Sequence, residues 1–175
     1  MKILSWNILH GGGDRRAAIG SVLACHNPDV IILSEVHSDT VVEVRPLLCM
    51  QAWEYCASTA SDSAVNALCV LSRTPIVPRD SCPVPPENAV RWLDVDLPTH
   101  GFGFGALHIP TTLGRREVDG GSKRRFWAAV VNAAADTSSS CSLAISIPGF
   151  EVSTKRGPDL HLLRGVLNDG GNRLD

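Results

Sequence analysis

The run Val30-Ile31-Ile32-Leu33 constrains the fold of this chain more than any other stretch. A strand with one wet face alternates apolar and polar residues, so a continuous aliphatic run predicts a strand covered on both faces. It follows the break Asn27-Pro28-Asp29 and delivers Ser34 and Glu35 at its C-terminal end. Ahead of it, residues 2–9 predict a short strand closed by His10 and the glycines Gly11-Gly12-Gly13. Asp14 is placed to cap a helix whose Ile19, Val22 and Leu23 keep helical spacing. Strand, helix and buried strand in succession predict a crossover unit of an α/β layered fold.

Further along, residues 38–50 carry a helical stripe of Val41, Val44, Leu47 and Leu48, disturbed by Pro46. Residues 66–72 predict another strand, turned by Arg73-Thr74-Pro75, and the prolines of 80–88 predict a loop. Leu93, Val95 and Leu97 then alternate with Asp94 and Asp96. A turn at 98–101 leads to a second strand with Phe102, Phe104, Ala106 and His108 on one face. The pair predicts an antiparallel hairpin. Ser122 opens a predicted helix with Phe126, Ala129, Val130 and Ala133 on one side, and Leu143, Ile145 and Ile147 predict a strand. From Pro148 onward no period is visible.

A length of 175 residues suits one domain with its own core. The formal net charge of -2 supplies no general attraction to nucleic acid, so a bound polyanion needs local basic groups or a metal. Cys25, Cys49, Cys56, Cys69, Cys82 and Cys141 show neither a C-x-x-C pair nor zinc spacing. They read as reduced core thiols of a cytoplasmic protein, since a disulfide framework belongs to secreted chains. The start of the sequence lacks the apolar region of a signal peptide, and no later run is long enough to span a bilayer, which predicts a soluble protein without a membrane partner.

Three polar residues stand at ends of predicted strands: Asn7, Glu35 and His108. Ligand sites of layered α/β folds gather there, because the strands hold side chains rigidly beside a crevice. Singly, each has a plainer role. Asn7 can satisfy a turn, Glu35 can be a surface carboxylate, and His108 can be a half-buried ring with one hydrogen bond.

Together the surrounding motifs resemble the endonuclease/exonuclease/phosphatase family. The resemblance rests on Lys2-Ile3-Leu4-Ser5-Trp6-Asn7-Ile8, on Asn27-Pro28-Asp29 through Ser34-Glu35-Val36, on Leu71-Ser72-Arg73-Thr74-Pro75-Ile76 and on Leu107-His108-Ile109-Pro110, in the family's order. It implies a four-layered α/β sandwich, two mixed sheets face to face flanked by helices. It also implies hydrolysis of phosphate esters, with nucleic-acid phosphodiesters as the leading substrate class and magnesium as the ion, for which manganese substitutes. Glu35 matches the family's metal-binding glutamate and Asn7 the asparagine that helps hold metal and phosphate. His108 matches the histidine that contacts the scissile phosphate.

Two later motifs of the family are missing. Ser146-Ile147-Pro148-Gly149 stands where Gly-Asp-x-Asn is expected, and no terminal Ser-Asp-His occurs; Asp159, His161, Asn168 and Asp169 are in the wrong arrangement. The expectation is an incomplete domain over 1–147, a diverged or unrelated tail over 148–175, little or no turnover, and an uncovered sheet open to oligomers or partners. A small-molecule phosphatase is the alternative within the class. A non-catalytic remnant that binds metal, nucleic acid or a partner is the alternative outside it.

Other signals carry less. His10-Gly11-Gly12-Gly13 resembles an esterase oxyanion loop, but no Gly-x-Ser-x-Gly elbow accompanies it. Arg115-Arg116 and Lys123-Arg124-Arg125 read as a solvated loop and helix start, with phosphate contact as the sharper reading. Trp6, Trp53, Trp92 and Trp127 read as core residues.

Overall fold

Three apolar clusters divide the molecule into four layers. A computed structural model describes residues 1–49, 52–62, 65–109, 124–132, 141–146 and 161–164. Strands β1 (Lys2–Asn7), β2 (Val30–Val36), β3 (Tyr55–Ser58), β4 (Ala67–Ser72) and β9 (His161–Arg164) form one sheet in the order β3-β4-β2-β1-β9. Strands β5 (Val77–Pro78), β6 (Trp92–Leu97), β7 (Phe102–His108) and β8 (Cys141–Ser146) form the other, in the order β5-β6-β7-β8. Both sheets are mixed: β1 runs parallel to β2 and β9, β7 runs parallel to β8, and the remaining pairs are antiparallel.

One cluster joins Ile3, Val30, Ile32, Leu68 and Val70 of the first sheet to Leu93, Val95, Leu97, Phe104 and Ala106 of the second, so the sheets face each other. A second packs the opposite face of the first sheet, through Leu4, Trp6, Ile31, Leu33 and Leu71, against α1 (Arg16–His26) and α2 (Ser38–Cys49). A third packs Trp92, Leu107 and Ile109 against Phe126 and Val130 of α3, residues 124–132. The order is helices, sheet, sheet, helix. Because β2 is the central strand of a sheet covered on both faces, its side chains enter both cores, which is why its sequence does not alternate. Burying each such aliphatic side chain contributes roughly 1.5–3 kcal/mol.

Several local expectations shift. Asp14 does not cap a helix: residues His10–Arg15 form a 3-10 segment, and α1 starts at Arg16 with no side-chain cap. Asn27 ends α1 in the left-handed conformation, its N–H bonded to Leu23 and Ala24 carbonyls, and Pro28 prevents continuation. The proline loop ends in a second 3-10 segment, Pro86–Arg91. Strand β9 arises where no period is visible, because four residues paired only along one edge need no pattern of their own. Ser122, Ala133, Ile147, Met50, Arg115, Arg116 and Lys123 lie outside the described residues. Cys25 and Cys82 are exposed thiols, not core ones, while Cys69 is buried. Among the described residues no helix is long and apolar enough to cross a membrane.

Candidate functional site

Glu35 would be a core residue if β2 alternated strictly, since Ile31 and Leu33 point into the helix-side cluster. It is not, because β2 bulges. Ser34 pairs with Leu68 and Val36 with Ala67, leaving Glu35 as the extra residue between consecutive partners on β4. Val36 takes the place in the helix-side core, and Glu35 is turned out of it. Its φ of 60° is left-handed, a conformation costing of order 1–3 kcal/mol for a side chain of this size. Such strain persists only where surrounding contacts hold it.

Those contacts come from both sheets. Asn7, at the end of β1, donates from Nδ2 to Glu35 Oε1 at 2.8 Å. Its Oδ1 accepts the Leu9 N–H at 2.9 Å, and this pair of bonds leaves one sense for the amide, because a carboxylate accepts and an N–H donates. The His10 N–H donates to Glu35 Oε2 at 3.1 Å. From the facing sheet, His108 at the end of β7 places Nε2 3.3 Å from Glu35 Oε1. Burial pushes the Glu35 carboxyl pKa up, but the His108 ring, the Asn7 amide and the His10 N–H outweigh it and hold the pKa at about 2. Glu35 is therefore ionised at neutral pH. The three sequence-selected residues meet at one point.

Arg91 and the group around His10 were not selected from the sequence. Arg91, the last residue of the second 3-10 segment, places Nη1 3.1 Å from His108 Nδ1. Burial lowers the Arg91 pKa, while Glu35 raises it. A guanidinium only donates, so Nδ1 accepts and the neutral ring carries its proton on Nε2. That Nε2 is buried, with no aligned hydrogen-bond partner among the described residues. It is a donor held 3.3 Å from Glu35 Oε1, near enough to lower that carboxyl's pKa but out of line for a full hydrogen bond. On the other side, Asn66 Nδ2 lies 3.2 Å from His10 Nδ1, and Asn66 Oδ1 lies 2.9 Å from His37 Nε2. No spacing in the sequence signals these contacts, since Arg91 and His108 are 17 positions apart and His10 and Asn66 are 56 apart.

The donor set is compatible with magnesium. Each Glu35 oxygen accepts one hydrogen bond and keeps a lone pair, and the group is ionised. Magnesium prefers hard oxygen ligands and retains waters, so one carboxylate and a substrate phosphate suffice. The Asn7 oxygen also keeps a lone pair beside its Leu9 bond. No group of three or more His, Cys, Asp or Glu that could hold a metal occurs among the described residues.

No family model and no curated protein matches the sequence. Solved structures do. A 3'-5' exonuclease from Neisseria meningitidis superposes with a TM-score of 0.63 at 19% identity, over 83% of this chain and 57% of that one. The TDP2 of D. rerio complexed with single strand DNA product gives 0.61 at 15%, over 83% and 58%. An endonuclease/exonuclease/phosphatase from Beutenbergia cavernae gives 0.56 at 21%, over 74% and 43%. The fold is that of the endonuclease/exonuclease/phosphatase proteins. The four-layered sandwich implied by the sequence motifs is thus the observed architecture. The chain spans little more than half the length of the first two of these structures.

Proposed function

We propose that this site acts on phosphate esters, with a nucleic-acid phosphodiester as substrate and magnesium as the ion. The supporting observation is the meeting of Asn7, Glu35 and His108 across two sheets, held by a strained bulge. A magnesium ion at Glu35 would offset charge on the phosphoryl oxygens and the leaving group. Glu35 supplies a carboxylate that is ionised at neutral pH. Asn7 fixes that carboxylate through Nδ2, so its orientation does not depend on the ligand. His108 offers the Nε2 proton to a phosphoryl oxygen, and Arg91 keeps it on that nitrogen. The likeness to an exonuclease and to a protein solved with a DNA product supports nucleic acid over a small phosphate ester.

A second reading is binding without turnover. The missing Gly-Asp-x-Asn and Ser-Asp-His motifs favour it, since no residue of the sequence matches the acid that those motifs supply to activate water. Loss of general-base help alone slows a reaction by about 10²–10⁴-fold. Nicking of supercoiled plasmid, with magnesium and with a chelator, separates the two. Slow magnesium-dependent nicking that disappears in Glu35→Gln and His108→Ala supports hydrolysis. Plasmid binding without nicking, at any enzyme concentration, supports the remnant.

A further inference from the structure

His10 has been described so far only through its backbone. Its N–H holds Glu35 Oε2, while its ring is 80% exposed and places Nδ1 3.8 Å from the same oxygen. An exposed ring has no packing to orient it, yet this one is oriented. Asn66 Nδ2 reaches Nδ1 at 3.2 Å, and Asn66 Oδ1 is engaged by His37 Nε2 at 2.9 Å. An amide nitrogen donates and an amide oxygen accepts. His37 therefore donates to Asn66, Asn66 donates to His10 Nδ1, and the neutral His10 ring carries its proton on Nε2.

The approach of this chain of contacts is costly. Leu9 and His10 both hold positive φ, 57° and 44°, and glycines 11 to 13 continue the left-handed run. Each non-glycine residue in that region costs of order 1–2 kcal/mol. Gly11 makes the close passage possible, since a Cβ there would stand 2.6 Å from His37 Nδ1. The Gly11 carbonyl is held by Thr40 Oγ1 at 2.8 Å and by Arg16 Nε at 2.9 Å. Strain of this kind is retained where it places a group for use.

The result mirrors His108. On one side of Glu35, Arg91 occupies Nδ1 of His108; on the other, Asn66 occupies Nδ1 of His10. Both neutral rings then keep their proton on Nε2, that of His10 on an exposed ring and that of His108 3.3 Å from Glu35 Oε1 but out of hydrogen-bond alignment. We infer that His10 is a second hydrogen-bond donor to substrate phosphate at this site, with Asn66 and His37 as positioning residues that set its tautomer. This inference rests on the phosphate-ester reading of the Glu35 site. It differs from that reading in the residues it tests.

The experiment uses the full chain with 15N-labelled histidine, magnesium and inorganic phosphate as the probe, beside the plasmid assay. His10 is expected in the Nε2-protonated form, its imidazole signals shift on phosphate addition, and Asn66→Leu mixes its tautomers while leaving those of His108 alone. Nicking is expected to fall about tenfold or more in His10→Ala and to recover largely in His10→Gln, whose amide restores a donor. Wild-type nicking in His10→Ala, a His10 ring protonated on Nδ1, or phosphate that moves His108 but not His10 overturns the inference and leaves the hydrolase reading standing. If the wild type binds phosphate without nicking, the hydrolase reading fails. The His10 shift then decides the inference by itself, a shift supporting it and none overturning it.

Discussion

Arg91 donates to Nδ1 of His108 across 3.1 Å, and this bond determines which ring nitrogen keeps the proton beside Glu35. The pairing is asymmetric, because histidine can exchange donor and acceptor roles and arginine cannot. Arg91→Met removes the constraint while keeping much of the side-chain bulk. The imidazole spectrum of His108 should then show mixed tautomers, and magnesium-dependent nicking should fall about tenfold or more, the usual scale for losing an outer-shell partner. Arg91→Lys should keep part of the effect, as its ammonium donates without the planar fork. A His108 spectrum unchanged in Arg91→Met would remove Arg91 from this role.

Glu35 makes stability depend on acid. Burial raises its pKa, the His108 ring, the Asn7 amide and the His10 N–H together lower it by more, and it falls from 4.5 to about 2 on folding. A carboxyl depressed on folding stabilises the protein fully above its unfolded pKa and loses that stabilisation as pH falls toward the folded value. The window is therefore about pH 4.5 down to about pH 2. A shift of this size corresponds to about 3 kcal/mol. Urea unfolding of the wild type and Glu35→Gln, with chelator present, isolates the term because other acids cancel in the difference. The gap between the two proteins should be largest near pH 6 and should close as pH drops through this window. A gap independent of pH would show that the carboxylate is not held as described.

The layers of this fold were legible in the sequence because burial writes a period. Leu93, Val95 and Leu97 alternate and enter the inter-sheet core, and the unbroken run of β2 reports two covered faces. Asn7, Glu35 and His108 were legible for a related reason, since each ends a readable strand. Arg91, Asn66 and His37 were not. Each acts through a partner distant in sequence, on irregular segments where no period exists to mark it. The bulge at Glu35 was hidden as well. Alternation is uninformative within an all-apolar strand, so the sequence is equally consistent with Glu35 or Val36 facing the helices. Strand β9 lacked a signature because parallel pairing along β1 is made by backbone.

The two thiols on adjacent strands give a third prediction. Cys56 on β3 and Cys69 on β4 bring their sulfurs to 3.6 Å. The bond from Cys69 lowers the Cys56 pKa, burial opposes it, Arg45 helps, and the thiol comes to about 7. Its partner is pushed upward by accepting that role and by burial. The thiolate is the reacting species, so alkylation of Cys56 should rise with pH through about 7 and level off above it. Cys69→Ala removes the largest lowering contribution and should move the midpoint up. Mass spectrometry after brief iodoacetamide exposure at a series of pH values resolves the site. Labelling of Cys56 that still climbs steeply above pH 9 in the wild type would contradict the assignment.

Two glycines separate backbone strain from close packing. Gly11 and Gly101 have nearly the same left-handed φ, 72° and 68°, so alanine at either incurs the same conformational penalty of about 1 kcal/mol. Their surroundings differ. A Cβ at Gly101 meets nothing within 4 Å, whereas one at Gly11 falls 2.6 Å from His37 Nδ1 and 3.0 Å from Thr40 Oγ1. The His37 ring is not at liberty to withdraw, because its Nε2 is bonded to Asn66. Gly11→Ala should therefore destabilise the protein by at least about 1 kcal/mol more than Gly101→Ala, the typical cost of forcing extra volume into a packed site. It should also break the His37–Asn66 contact and release the His10 ring, so that the His10 tautomer mixes as in Asn66→Leu. Gly101→Ala should leave every histidine signal in place. Equal unfolding free energies for the two variants, with unchanged His10 signals in Gly11→Ala, would mean that the loop relaxes around the methyl group and that the glycine is not what sets the passage beside His37.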